Sequence, residues 1–468
     1  MMFEKMLGWI RTTIFKLMGK ENTELTISPK METLIDLWAR MYSADAKEQP
    51  LQLPVLIPSE FARLVTVESQ ITITGSPRAD WLQTQITPFL ENLRTYVEYA
   101  CALGGAVFKP YVSGNGILID VVQEDCFSPT AFDSSKRMTG AIFTEQILRK
   151  GKIYTRAESH EFIQGKEKVQ NLAFSSSTNT SLGTPGALSM VPEWAELAPD
   201  IEISGIDRPL FAYFRIPLAN NKDRSSPLGV SVFANAVGSI QDANEQYGWL
   251  RWEYDGGQLA IDVAAQALRT RADGTVGLDK RGQRLYRRSI ETGVTSGDFY
   301  HAFAPALRDA SYRAGLDDLL KKIEFQCHLA FGTFSDPDSV EKTATEMKIS
   351  KQRSYTAVRD IQKSLETAIS DLVYAMDRLA TLYHLAPEGN YELSCQWHDS
   401  VLQDEETLRM LDRDDALNGF IPKWHYNKRW RSMTEDEAKQ AVQEAQAEVS
   451  SIPSLTFDDT GSQGGRIM

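Results

Sequence analysis

The stretch 336-DPDSVEKTATEMKISKQRSY-355 begins as a turn and ends as a helix. Asp336-Pro337-Asp338-Ser339 carries turn-forming residue types, and Thr343 followed by Glu346 is the pattern of a capping box, which opens a helix. Met347, Tyr355, Val358, Ile361, Leu365, Ala368, Ile369, Leu372, Met376, Leu379 and Leu382 then keep one apolar face to about His384. About forty residues at helical rise span roughly 60 Å. Upstream, Leu316, Leu319, Leu320, Ile323, Cys327 and Ala330 write another helix over 310–331, with Gly332 as its terminator. A short charged loop therefore hangs between two long helices.

Working outward, Val232, Phe233, Ala236, Val237, Ile240, Ala243, Tyr247, Leu250 and Tyr254 predict a helix that Gly256-Gly257 stops. The Gly-punctuated segment 258–299 reads as a small strand-rich excursion. Within it, Arg269, Arg271, Lys280, Arg281, Arg284, Arg287 and Arg288 face only Asp273 and Asp279 in the sequence. Earlier, one helical run covers Trp81 to Leu103. Two hairpins follow, turning at Asn115-Gly116 and Lys150-Gly151, which together predict an antiparallel sheet packed on helices. Residues 169–192 carry no charge and are rich in Ser, Thr and Gly, so they read as a flexible surface loop. Towards the C-terminus come a strand over Tyr391–Trp397, a helix from about Asp404 to Asn418 closed by Gly419, and a polar helix opened by the capping box Thr434/Glu437. Residues 450–468 have little to bury and read as a disordered tail. The fold class is α+β, mainly helical.

The chain has 468 residues, 42% of them hydrophobic and 24% charged, which is ordinary globular usage with room for more than one domain. Cys101, Cys126, Cys327 and Cys395 are scattered, so neither a disulfide framework nor a zinc site is expected and a reducing compartment fits. In the opening MMFEKMLGWIRTTIFKLMGK, Arg11 and Lys16 interrupt the apolar run. That predicts an amphipathic segment packed on a neighbour and no membrane span. A net charge of −13 means the whole molecule cannot bind nucleic acid by neutralising its phosphates.

No GxxxxGK[ST], HExxH, GxSxG or strand-linked GxGxxG occurs, and the six histidines are dispersed. Each histidine reads as a surface or satisfied core residue. No catalytic residue, metal ligand or cofactor is expected, and an assembly role ranks above an enzyme.

Several stretches resemble the Gp6-like portal proteins of tailed phages. Lys342-Thr343-Ala344-Thr345-Glu346 reproduces that family's Lys-Thr-Ala-Thr-Glu string where its long helix begins. Phe303, Pro305, Leu307 and Arg308 match its Phe-x-Pro-x-Leu-Arg run. SPLGVSVFANAVGSIQDANEQYGWLRWEYDGG is similar to its Gly-x-Ser opening and the helix after it, with Asp242, Asn244 and Glu245 standing shifted from the family's Asp-x-x-Asn pair. WHDSVLQDEETLRMLDRDDALNGFIPKW fits its C-terminal run, so coverage extends from about Gly229 to Gln446.

The resemblance implies a portal fold that forms a dodecameric ring with a central channel at one capsid vertex. The wing would be residues 1–228 and the long helix 343–386. The stem would be helices 229–254 and 310–331, the clip 255–309, the channel loop 332–342 and the crown 387–449. Asp336, Asp338, Ser339, Glu341, Lys342 and Thr343 would meet double-stranded DNA passing through the channel. Lys280, Arg281, Arg284, Arg287 and Arg288 would dock the terminase and then the head-tail adaptor protein. Scaffold and major capsid protein complete the implied partners, with no membrane, in a virion assembled in the host cytoplasm. The implied function is DNA packaging, retention and ejection. Two other readings stand beside it: a non-ring nucleic-acid- or scaffold-binding protein using the basic 269–288 segment, and a hydrolase whose site the sequence hides.

Overall fold

The computed structural model describes residues 28–178, 181–257, 260–264, 288–290, 300–303, 306–337, 344–397, 405–431 and 433–450. The amphipathic opening segment, the capping box at Thr343/Glu346 and the tail beyond Ser450 lie outside the described residues or side chains. The chain divides into two units, Met1–His398 and Asp399–Met468.

The first unit opens with α1 (Pro29–Ser43), whose N-cap Ser28 accepts from the Met31 N–H at 3.0 Å and donates to Asp223. Then come α2 (Leu53–Thr66), β1 (Ser69–Thr74), α3 (Pro77–Glu91) and α4 (Leu93–Leu103). The single helix expected over Trp81–Leu103 is in fact two. The Asn92 side chain donates to the Pro88 carbonyl at 3.0 Å while its own N–H turns to Phe89, so the side chain takes the acceptor the backbone ladder needed.

β2 (Gly105–Ser113) and β3 (Gly116–Gln123) form the first expected hairpin, but its two-residue loop is Gly114-Asn115, one residue earlier than read. Gly114 takes φ +58°, the positive angle that a glycine-first hairpin turn requires. β4 (Phe127–Phe132), β5 (Met138–Arg149), β6 (Lys152–Ile163), β7 (Lys166–Ser176), β8 (Thr184–Gly186) and β9 (Asp200–Ser204) make a larger sheet in the order β4-β5-β6-β7, with β8 and β9 both on the outer side of β7. Its β5–β6 turn is Lys150-Gly151 as expected, with φ of 49° and 73°. β10 (Ala212–Arg215) pairs with β2. The two hairpins therefore belong to two sheets rather than the single one expected.

Residues 169–192 are not a surface loop. They contain most of β7, all of β8, one short 3-10 turn and the start of another, and Phe174, Leu182, Leu188, Val191 and the nearby Trp194 are buried. The polar composition misleads because one buried position is Asn171, which receives Arg156 at 3.1 Å and donates to the Ala198 carbonyl at 3.0 Å.

A web of charges lies buried beneath this sheet. Lys109 reaches Glu158 at 2.6 Å, Arg156 reaches Glu145 at 3.0 Å and Glu158 at 3.2 Å, and His160 sits between Glu158 at 2.8 Å and Glu167 at 2.6 Å. Burial alone would push His160 down, but the hydrogen bonds to Glu158 and Glu167 outweigh it and hold the imidazolium up to about 9. The expectation of a satisfied core histidine holds at this position.

The helix expected from Val232 starts later, as α5 (Val237–Gly256), because Ser231 to Ala236 are spent on two tight turns. Gly229 enters them against Gly104, so closely that a Cβ at Gly229 would meet the Gly104 carbonyl oxygen at 2.0 Å. β11 (Ala260–Ala264), β12 (Arg288–Ile290) and β13 (Tyr300–Phe303) form a small sheet with β11 central; two of its strands fall in the expected strand-rich excursion and β13 lies just beyond it. α6 (Asp309–Gln326) and α7 (Ala344–Leu382, 39 residues) follow. α7 buries Val358, Ile361, Leu365, Ile369, Leu372 and Met376, and its far end is held by Asp377 on the buried Arg78 at 3.1 Å. β14 (Glu392–Trp397) pairs with β1.

The second unit contains α8 (Glu405–Asn418), α9 (Lys423–Trp430) and α10 (Glu435–Ser450). Gly419 closes α8 at φ +79°. The second capping box is formed, with the Thr434 N–H on Glu437 at 2.9 Å and the Glu437 N–H on the Thr434 hydroxyl at 3.4 Å. Arg429 and the Trp430 indole both hold Asp412, tying α9 to α8.

Candidate functional site

The expected loop between α6 and α7 is described at its root, residues 332–337. α6 stops at Gln326, short of the Phe331 end predicted. His328 takes the left-handed conformation at φ +60°, its N–H bonds to Phe325, and the Leu329 N–H returns to the Glu324 carbonyl at 2.8 Å. That is a complete Schellman stop, built on histidine where glycine was expected. Gly332 serves instead in the loop.

Glu324, in the last turn of α6, is fully buried. Its Oε1 accepts from the N–H groups of Phe334 at 2.6 Å and Ser335 at 2.9 Å; its Oε2 accepts from the Gly332 N–H at 3.2 Å and the Ser335 hydroxyl at 2.8 Å. A buried carboxylate is tolerated only when its lone pairs are filled, and here peptide groups fill them. Two turns earlier in α6, Asp317 accepts from the Asp336 N–H at 2.7 Å and holds Lys321 at 2.7 Å. From α7, Ser354 donates to the His328 carbonyl at 3.3 Å, and the Arg353 guanidinium lies 4.4 Å from the Phe325 ring centre. Helix end, loop root and the start of α7 are thus one knot.

Of the expected loop residues, Asp336 is exposed at the knot's edge; Asp338, Ser339, Glu341, Lys342 and Thr343 lie outside the described residues. Sequence reading missed Glu324. Its signal was a carboxylate on an apolar stripe, one turn from Leu320 and beside Ile323, ahead of a Gly-x-x-Ser.

α5 and α6 pack against each other, and a fork closes them where the chain returns from the small sheet. Arg308 grips Glu253 through its backbone N–H at 3.0 Å, Nε at 3.3 Å and Nη2 at 2.8 Å, and these bonds hold the Glu253 carboxyl below its ordinary range. The Tyr254 hydroxyl accepts from Arg313 and reaches Asp309 at 3.3 Å. Asn244 accepts from the Leu51 N–H at 3.1 Å and donates to Gln49 at 2.6 Å, which ties α5 to the connection between α1 and α2. The pair leaves Trp249, Trp252 (66% exposed) and Phe325 on its surface.

Of the expected docking cations, Arg288 begins β12 opposite Asp262 of β11; Lys280, Arg281, Arg284 and Arg287 lie outside the described residues.

The phage portal protein profile of the SPP1 Gp6-like type matches residues 79–451, most of the chain. This chain belongs to that portal protein family. The match takes in α3 through α10, and so includes the Glu324 knot, the Arg308–Glu253 fork and the Gly104–Gly229 contact. No curated protein matches the chain. Among solved structures, one described as the neck of a native GTA particle computed with C12 symmetry is similar, with 10% identity, 88% of this chain and 98% of that chain covered, and a TM-score of 0.44. Within the portal protein, no group of His, Cys, Asp and Glu is arranged to hold a metal ion among the described residues, and no described helix is long and apolar enough to cross a membrane.

Proposed function

We propose that twelve copies of this portal protein close into a ring at one capsid vertex, and that residues 332–342 of each copy project into its bore. The observation that carries this reading is the Glu324 knot. A loop whose root is fixed by four hydrogen bonds to one buried carboxylate leaves the end of α6 in a single direction, so ring symmetry turns one short segment into a collar. The wing, stem, clip and crown divide the chain as the resemblance implies, with α5 and α6 as the stem. The exposed Trp249, Trp252 and Phe325 supply apolar surface for a neighbouring copy.

In that collar, Asp336, Asp338, Ser339, Glu341, Lys342 and Thr343 face double-stranded DNA during packaging, retention and ejection. Acidic residues repel the backbone while Lys342 touches phosphates, so contact stays weak and the polymer slides; a wall that neutralised many phosphates would hold DNA with steep salt dependence. The basic clip residues Lys280, Arg281, Arg284, Arg287 and Arg288 dock the terminase, which supplies the ATP-driven work, and later the head-tail adaptor. Scaffold and major capsid protein meet the ring at the vertex of the virion, which is assembled in the host cytoplasm.

Light scattering and negative-stain microscopy of the purified protein test the ring: hollow rings are expected, and single copies under every assembly condition would overturn it. Lys342→Glu tests the collar. It is expected to change packaging yield or DNA retention, and wild-type values for both would remove the loop assignment.

A further inference from the structure

We propose that the C-terminal segment 451–459 folds back on its own copy and closes an open groove of the second unit, between α8, α9 and α10. The groove is about 670 Å³, with Ala416, Leu417, Val442 and Ala445 along its apolar lining and Lys423 and Arg431 among its other lining residues. Leu417 is 68% exposed and the adjoining Phe420 is 80% exposed. Neither Lys423 nor Arg431 makes an ion pair among the described residues, although Arg413, Lys428, Arg429 and Lys439 of this unit each have one. The groove thus offers apolar area and two uncommitted positive charges.

The chain that continues from α10 has the complementary order. Ile452, Leu455 and Phe457 are its large apolar residues, and Asp458-Asp459 follows them directly. Pro453, just past the last helical residue Ser450, cannot extend the helix and so favours a reversal. The reach is sufficient. Returning from Ser450 to the level of Val442 requires about 12 Å along the helix, whereas residues 451–457 extend to about 23 Å. Apolar burial supplies the attraction, and Asp458 and Asp459 against Lys423 and Arg431 supply the direction, a component that salt screens. The proposal does not depend on the ring.

The test compares the full chain with one ending at Ser450 by hydrogen–deuterium exchange, after circular dichroism has shown equal helix content. Deletion is expected to raise exchange over 413–431 and 438–445 about tenfold, and a synthetic peptide of residues 451–468 is expected to restore protection. Lys423→Glu with Arg431→Glu should reproduce the deletion, and adding Asp458→Lys with Asp459→Lys should reverse it. Equal exchange in the full and shortened chains would overturn the proposal and leave the groove to another partner. A Leu417→Cys, Phe457→Cys pair is expected to cross-link within one copy. Cross-links found only between differently labelled copies would also overturn it.

Discussion

The molecule buries charge in two places, and it does so in two ways. Beneath the large sheet, Lys109, Arg156 and His160 are met by Glu145, Glu158 and Glu167, side chain against side chain from four strands. At the end of α6, the Glu324 carboxylate is met instead by three peptide N–H groups and one hydroxyl. The first arrangement fixes which strands lie together, because each charge is costly without its partner. The second fixes the path of the backbone, because its donors are the backbone. A buried charge can therefore specify either pairing or direction, and the choice of partner decides which.

The largest effect expected from breaking this contrast is in the web. Arg156→Ala strands Glu145 beside Asn171 and Trp194 and should cost about 3–5 kcal/mol, the range for a buried pair with one member removed. Urea denaturation followed by far-ultraviolet circular dichroism reads it, and a loss below about 1 kcal/mol would mean the web is screened by water. The next effect is in pH. The folded value of His160, about 9, lies above its ordinary 6.5, so its contribution is complete below about 6.5 and is lost as pH rises through about 9. The decline is on the order of 3 kcal/mol. Glu124 acts in the same sense: burial raises its carboxyl to about 8 against the opposing Tyr213 hydrogen bond and Arg215 charge, so its contribution is lost as pH rises from the ordinary 4.5 through about 8. His160→Gln should flatten the alkaline part of the stability profile; an unchanged slope would assign it elsewhere. The smallest effect is at the knot. Glu324→Gln presents an amide to donors and should cost about 1–3 kcal/mol. Its signature is local: faster amide exchange at Gly332, Phe334 and Ser335, with β5 to β7 unchanged. Equal loosening of the sheet would erase the distinction between the two designs.

The sequence carried much of this architecture where a local rule sufficed. Lys150-Gly151 marks its turn because both residues must take positive φ, and Thr434 with Glu437 marks its helix because the two side chains satisfy each other's N–H groups. The long α7 is written in its apolar stripe. Reading failed where a distant partner changed a residue's meaning. Asn171 looks like loop chemistry until Arg156 arrives from the neighbouring strand; His328 looks helical until its left-handed turn places Leu329 back on α6. Glu324 is the clearest case at the site. Its place on the apolar stripe hints at burial, but the donors that make burial possible lie beyond the helix end. The family resemblance located the loop's neighbourhood through Lys342–Glu346 and Arg308, but the knot that aims it belongs to tertiary structure.

The grip of Arg78 on Asp377 has a mechanical consequence for the opposite end of α7. Asp377 lies near one end of a rod about 58 Å long, whose other end, Ala344, follows directly on the 338–343 segment. The Ser354 hydroxyl on the His328 carbonyl holds the same rod a second time, close to Ala344. Clasped towards both ends, the helix cannot swing as a lever, and only its first few turns remain to aim the segment ahead of it.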